Sequence, residues 1–210
     1  MKKFGIILVS IFLLETYLFA AEHEATILGL GGNASFIYET SGLNGTKINA
    51  SFNSFGFDVV FGVLQDNDWA VIDAISFDLP QKITVSTDDG TIEISRNGCK
   101  NLFLLNTIIN FDYLFLNTER ILLGVGPSIN YAMLKASARY VSALLFEFGL
   151  GAQFIGMVKF TDIFGLHFGI NALFDFYNIS FITTAYNQKT NSGLISDFIL
   201  FPFIGFSFVF

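Results

Sequence analysis

The sequence has little charge and almost no cysteine, and both shortages exclude classes of protein. Only 14% of the 210 residues are charged and 52% are hydrophobic, against roughly 25% charged residues in a soluble domain. This composition excludes intrinsic disorder, which needs low hydrophobicity and high charge. A disulfide framework is excluded because Cys99 is the one cysteine. We expect Cys99 to be a free thiol or to form an occasional intermolecular bridge.

Long hydrophobic runs are also missing. A transmembrane helix needs about 20 consecutive apolar residues. Beyond residue 20, the longest uncharged stretches are residues 25–38 and 121–134, fourteen residues each, and both contain asparagine and several glycines. The sequence is therefore not that of a helical membrane protein. Its net charge of −7 also argues against binding of nucleic acid, which requires a basic surface.

The N-terminus has the pattern of a secretory signal peptide. Lys2 and Lys3 precede an uncharged apolar run over residues 4–14, and Ala20 offers a small residue for cleavage. The run is too short to span a membrane, which disfavours the alternative of an N-terminal anchor helix. We expect residues 1–20 to be a signal peptide and residues 21–210 to be one domain.

Bulky apolar residues then recur at every second position. In residues 103–115 the odd positions are almost all apolar, whereas the even positions include Asn106, Asn110 and Asp112. In residues 121–133 large odd residues alternate with glycine, serine and asparagine. A period of two indicates β-strands. A face this rich in glycine, serine and asparagine is unlike a solvated surface, and the pattern is typical of a transmembrane barrel, with apolar residues outside and small or polar residues inside.

Turn signals divide the chain into eight strands. They are predicted near residues 25–39, 47–64, 69–79, 101–116, 120–134, 141–160, 163–178 and 194–210. We therefore expect an all-β fold, an eight-stranded antiparallel up-and-down transmembrane β-barrel, which leaves no unpaired strand edge in lipid.

The longer, polar connections are expected to be extracellular loops and the short turns to be periplasmic. The predicted loops are residues 41–46, 80–100, 135–140 and 179–193. Within the longest of them, residues 83–86 and 91–95 predict a hairpin that extends above the membrane.

The C-terminus carries Phe206, Phe208 and Phe210 at alternating positions. This resembles the C-terminal signal of bacterial outer-membrane barrels, which in that family is read by the barrel assembly machinery. The size of the domain resembles that of the small OmpA-domain, OmpX and OmpW barrels, without a following periplasmic domain. The resemblance implies a monomer in the bacterial outer membrane, in contact with outer-membrane lipid.

The interior of an eight-stranded barrel is just wide enough for side chains or one small ligand, so a general porin is disfavoured. The polar residues predicted to face it are Asn33, Asp58, Asn110, Asp112 and Asn130, together with a network of Glu147, Gln153, Lys159, His167, Asn171, Asp175 and Asp197. If the strands on either side of the turn at 161–162 pair so that residue numbers sum to 324, then Gln153 faces Asn171 and Glu147 faces Tyr177.

Two interpretations of this network remain open. One is an acidic constriction or cation site beneath the outer loops. The other is a hydrogen-bonded plug in which Lys135, Arg139 or Lys189 completes the ion pairs, because buried charges are usually paired and buried polar groups are usually hydrogen-bonded.

For function, we expect a structural or surface-interaction role in which the extracellular loops contact an external ligand. The alternative, which the OmpW resemblance implies, is a narrow channel or transporter for small or hydrophobic compounds. A lateral opening would need a kink in a strand, and Pro127 and Pro202 are the candidates because proline removes a ladder hydrogen bond.

An enzyme is not expected. Outer-membrane lipid A acyltransferases and deacylases resemble this size class and use a histidine with a serine. Here His23 and His167 both fall on the periplasmic side, away from an external substrate that a base would have to reach. No catalytic residue, cofactor or metal is predicted, since Cys99 lacks partners at ligand spacing.

Overall fold

The computed structural model describes residues 25–43, 46–65, 68–87, 90–137, 141–184 and 188–210. The predicted signal peptide, residues 1–20, lies outside them. No helix in these segments is long and apolar enough to cross a membrane. A short 3-10 turn, Arg96–Gly98, follows the fourth of nine strands. The strands are β1 (Ala25–Leu43), β2 (Thr46–Gln65), β3 (Trp69–Thr87), β4 (Gly90–Ser95), β5 (Asn101–Asn117), β6 (Ile121–Ser137), β7 (Val141–Lys159), β8 (Phe164–Thr184) and β9 (Gln188–Val209).

Eight of these strands close a barrel. Each pairs antiparallel with its neighbours, and the barrel closes where residues 27–40 of β1 pair with residues 196–209 of β9. Strand β4 pairs with the outer part of β3, residues 82–87, and β5 takes the next place beside β3 in the wall. The predicted eight-stranded antiparallel barrel is confirmed, and β4 forms the hairpin that was expected above the membrane.

The strands are longer than the sequence predicts. Strand β3 reaches residue 87 rather than 79, β8 reaches 184 rather than 178, and β9 begins at 188 rather than 194. The predicted loops 41–46, 135–140 and 179–193 are therefore mostly strand, although residues 44–45, 138–140 and 185–187 lie outside the described part of the chain. Polar composition marks where the chain leaves lipid, but backbone pairing continues beyond that point.

Two sets of outward aromatic residues mark the limits of the apolar wall. The expected periplasmic end carries exposed rings of Trp69, Phe115, Phe160 and Phe210, and the outer belt contains Phe36, Tyr38, Phe176 and Phe198. Aromatic girdles of this kind flank an apolar band about 25 Å tall. About 9–11 residues per strand suffice to cross it, whereas the strands of the wall contain 17–22 residues. A large part of the sheet therefore lies beyond the band.

Burial alternates along the strands as the sequence predicts. In β5, even-numbered residues from Leu102 to Leu114 are buried and odd-numbered residues face outward. The interior is not only small and polar, however. Ile72, Ile108 and Phe201 are fully buried, which corrects the expectation that large apolar residues lie outside.

Glycines explain how large side chains fit inside so narrow a barrel. A methyl group added at Gly124 would lie 2.8 Å from Leu114 Cδ2 and 3.4 Å from Ile155 Cγ2. The missing side chain thus leaves the space that its two large neighbours occupy. The lumen is consequently a packed core rather than an open pore, as an eight-stranded barrel permits.

Two prolines interrupt the wall. The β5–β6 ladder is interrupted at Gly126 and Pro127, and the β1–β9 ladder is interrupted at Phe201 and Pro202. Proline has no backbone N–H to donate to the neighbouring strand. The closing seam between β1 and β9 is therefore weakest at Pro202.

Candidate functional site

The structure places the polar residues predicted to face the lumen inside the barrel, with one exception. Lys159 is only half-buried, near the periplasmic end of β7. The buried residues are Asn33, Asp58, Asn110, Asp112, Asn130, Glu147, Gln153, His167, Asn171, Asp175 and Asp197. Alternation along the strands is the signal that identifies them, since it assigns each residue to one face of the wall.

These residues form separate clusters rather than one network. The first, here called the outer acidic cluster, consists of Glu39, Glu147, Asp175 and Asp197. Carboxylate oxygens of Glu39, Glu147 and Asp197 lie within 4.8 Å of one another. Asp197 stands opposite Glu39 in the β1–β9 register and opposite Asp175 in the β8–β9 register. Four adjacent strands, β7, β8, β9 and β1, thus bring acids to one place in the outer half of the lumen.

A β-bulge lies beside this cluster. The predicted pair Gln153–Asn171 is present, but Glu147 pairs with Asn178, not Tyr177. The prediction of Tyr177 was wrong because the register shifts by one residue between Phe148 and Gly149. Bulges re-aim side chains and are common beside functional sites.

Asn130 is the neutral member at this site. Its Nδ2 donates to both oxygens of the Asp175 carboxylate, each at 2.9 Å. Asp197 is fully buried, and neither of its oxygens accepts a hydrogen bond from an amide or hydroxyl group. The cluster therefore contains one carboxylate held by an amide and a second that has no such donor.

A second cluster, of hydrogen-bonded neutral groups around Asp78, is formed by side chains of β1, β2, β3 and β5. Asp78 Oδ2 accepts from Asn106 Nδ2 at 3.1 Å and from Ser35 Oγ at 3.4 Å, and Ser35 bonds in turn to Ser54. Glu39, Asp78 and these serines were not among the predicted site residues. Asn33, Ser35, Ile37 and Glu39 share one parity, so the alternation of β1 contained the signal.

A third cluster surrounds His167. Its Nδ1 lies 2.6 Å from Ser207 Oγ, and its Nε2 lies 3.7 Å from Asp58 Oδ2. All three side chains are buried to 1% exposure or less. Ser207 was not among the predicted site residues, although it lies on the inner face between the outward Phe206 and Phe208.

The basic residues proposed to neutralise the lumen lie elsewhere. Lys135 Nζ sits over the ring of Phe103, 6.0 Å from its centroid, and Lys189 is exposed. Arg139 lies outside the described residues. The ion pairs found in the described segments are Lys82–Glu93 on the outer hairpin and His167–Asp58. Neither Lys135 nor Lys189 completes an ion pair with the acids of the lumen.

A groove opens on the lipid-facing wall where Pro202 interrupts the β1–β9 seam. It has a volume of about 830 Å³, and the small residues in its lining are Gly32, Ala34, Gly56 and Gly169. Asn33, at its inner side, has no hydrogen-bond partner for either amide atom. The groove is therefore apolar toward the lipid and has one polar contact point toward the lumen.

The predicted assembly signal lies on the outer surface. Phe206, Phe208 and Phe210 are all exposed and follow one face of β9 at its periplasmic end. Recognition of this face by the barrel assembly machinery remains a prediction.

Comparison of the sequence with protein-family models and with curated proteins gives no match. Among solved structures, the chain is similar to the outer-membrane protein OprG from Pseudomonas aeruginosa, with a TM-score of 0.59 at 12% identity, covering 89% of this chain and 95% of that one. It is also similar to the outer-membrane protein AlkL, with a TM-score of 0.55 at 15% identity, covering 90% and 91%.

A major outer-membrane protein from Thermus thermophilus gives a TM-score of 0.52 at 10% identity, covering 85% of this chain and 99% of that one. At such identities the likeness concerns the fold. The chain has the fold of small bacterial outer-membrane barrels. A closed barrel with an apolar outer wall is one of two structures able to span a bilayer, so the fold and the wall of this chain fit a membrane-spanning barrel.

Proposed function

We propose that the protein is a non-conducting outer-membrane barrel that presents extended outer β-hairpins for recognition of an external ligand. The observation that carries this proposal is the continuation of paired strands well beyond the outer aromatic belt. Strands β8 and β9 remain paired as far as Thr183 and Gln188, beyond Phe176. Surface segments held on a rigid scaffold are where binding residues concentrate.

The composition of the outer sheet supports recognition of a polar ligand. The β8–β9 extension exposes Thr183, Thr184, Gln188, Lys189 and Thr190. The β3–β4 hairpin exposes both members of the Lys82–Glu93 ion pair. Paired backbone holds these side chains in fixed positions, so the protein would lose less conformational entropy on binding than a mobile loop would.

The packed lumen supports the non-conducting part of the proposal. A channel needs a continuous polar path, whereas Ile72, Ile108 and Phe201 fill the interior beside the polar clusters. The Ser207–His167 pair is likewise unsuited to catalysis, because both side chains are fully buried and a catalytic base has to reach its substrate.

The recognition role can be tested by deletions that shorten the outer hairpins between residues that pair with each other. Removing residues 181–190 shortens the β8–β9 hairpin while leaving the pairs below it in register. Bacteria that display the full-length or the trimmed barrel are applied to arrays of glycans and of extracellular-matrix proteins. We expect the full-length barrel to bind at least one class and the trimmed barrel to lose that binding. A shift in gel mobility on boiling confirms that each variant is folded.

Equal binding by full-length and trimmed barrels, or no binding by either, contradicts the proposal. An equivalent trim of residues 84–93 in the β3–β4 hairpin shows which hairpin carries the contact, since Thr84 and Glu93 are also register partners.

A second candidate function is favoured by the lateral groove at Pro202. A cavity of about 830 Å³ beside an interrupted strand seam is large enough for one small apolar molecule. In this second candidate function, a compound enters the bilayer through the barrel wall at Pro202. Uptake of a small apolar dye by liposomes separates the two functions. Entry that is accelerated by the wild type and slowed by Pro202→Val supports transport, and no acceleration supports the recognition surface.

A further inference from the structure

We propose that the outer acidic cluster is a binding site for a calcium ion. This inference goes beyond the recognition function and does not depend on it. Calcium takes oxygen ligands, chiefly carboxylates, at 2.3–2.6 Å. Two oxygens bound to one such ion lie at most about 5 Å apart, and oxygens of Glu39, Glu147 and Asp197 lie within 4.8 Å of one another. The three carboxylates therefore fit around a single ion.

Electrostatics favour the same conclusion. Four carboxyl groups, those of Glu39, Glu147, Asp175 and Asp197, meet in one part of the lumen. In the portion of the chain that the structure describes, the buried base is His167, which is already engaged with Ser207 and Asp58. Burying unpaired carboxylates is costly, and a divalent cation neutralises them without a basic side chain.

The hydrogen bonding provides an independent indication. Asp197 has 0% exposure, and its oxygens meet the Glu147 carboxyl group but no amide or hydroxyl donor. Asn130 is also fully buried; its Nδ2 is directed at Asp175, and its own Oδ1 has no partner. Buried polar atoms in native proteins usually have partners. A cation among these oxygens would supply what Asp197 lacks.

Two backbone features of β7 and β8, a glycine and a register shift, lie beside the site. A methyl group at Gly149 would clash with the carboxylate of Asp175 and with the carbonyl of Phe174. The register of β8 with both neighbours shifts beside Phe176. A glycine and a bulge therefore lie at the level of Glu147 and Asp175, whose side chains share the inner face.

Glu39 is the most accessible member of the cluster. It is half-buried and lies in the outer part of β1, whereas Glu147, Asp175 and Asp197 are buried. An ion from the outside would meet Glu39 first and then the buried pair Glu147 and Asp197.

Calorimetric titration with calcium chloride tests the proposal on the barrel folded in detergent and freed of metal with EDTA. We expect saturable binding of one ion. The double variant Glu147→Gln, Asp197→Asn should lower the affinity at least about 10-fold, since loss of even an outer-shell partner costs 10- to 100-fold. Asn130→Ala removes the group that orients Asp175. It should lower the calcium affinity by about 10- to 100-fold. Asp112→Asn is the matched control, because Asp112 is also a buried acid with unpartnered oxygens but lies at the periplasmic end of β5.

Thermal unfolding with calcium or EDTA keeps the test decisive if a variant folds poorly. Calcium should raise the unfolding temperature of the wild type and of Asp112→Asn, but not that of the double variant. Absence of calcium binding by the folded wild type overturns the proposal, as does unchanged binding by the double variant. A further outcome is that calcium leaves the unfolding temperature of the wild type unchanged while Glu147→Gln alone raises it. That result would contradict the proposal and would indicate carboxyl groups that share protons.

Discussion

The imidazole of His167 and the hydroxyl of Ser207 are joined across the β8–β9 pair, with Nδ1 2.6 Å from Oγ. The register sets His167 opposite Gly205 and Ser207 opposite Gly165, so the two side chains are diagonal neighbours on the inner face. Gly205 leaves space for the ring, because a methyl group there would lie 2.6 Å from Cε1. The other ring nitrogen faces Asp58 of β2 at 3.7 Å, so this cluster links both sides of the closing seam.

Ser207→Ala should destabilise the barrel by about 1–3 kcal/mol, the usual result of leaving a buried hydrogen-bonding group without its partner. The exposed Ser192 on the same strand provides the control, and Ser192→Ala should change the free energy of unfolding by no more than about 0.5 kcal/mol. Urea-induced unfolding and refolding in lipid vesicles measures both. Equal effects of the two substitutions would show that the His167–Ser207 bond contributes nothing to stability.

Gly149→Ala should destabilise the barrel by about 1–3 kcal/mol, as overpacking of a filled interior does, because the new methyl group would meet Asp175 and the backbone of Phe174. Gly193→Ala is the matched control: no atom lies within 4 Å of the corresponding position. The same unfolding assay compares them. A tolerated Gly149→Ala would mean that the bulge beside it is not tightly packed.

Alternation predicted which residues face the lumen, because side-chain direction in a strand depends only on parity. It could not predict the pairing of Glu147 with Asn178, since a bulge adds a residue without changing the local pattern. Parity assigns large residues such as Ile155 to the inner face together with Gln153, but it could not predict how they fit there. Their position depends on the glycine opposite, Gly124, which is a property of the register between strands.

The ends of the strands were underestimated for a different reason. Hydrophobicity along the sequence indicates contact with lipid, and it decreases outward of Phe176 on β8 and of Phe198 on β9. Backbone pairing between the two strands nevertheless continues to Thr183 and Gln188. Glu39 has the inward parity of β1, but its place in a site depends on Glu147 and Asp197, which lie on other strands. The outer acidic cluster is therefore a feature of tertiary pairing rather than of any single segment.

The orientation of the barrel can be checked with lysine positions at its two ends. In a Cys99→Ser background, Lys189→Cys should react with a membrane-impermeant maleimide on intact cells, because Lys189 is exposed on the outer extension. Lys159→Cys, at the periplasmic end of β7, should react only after the outer membrane is permeabilised. The reverse labelling pattern would place the extended hairpins in the periplasm and contradict their role in external recognition.

The central claim is that this outer-membrane barrel is closed and filled. Single-channel recording of the purified barrel in planar bilayers tests it most directly. The packed lumen predicts no stable conductance steps for the wild type, whereas regular, ohmic steps from the wild type would contradict the account.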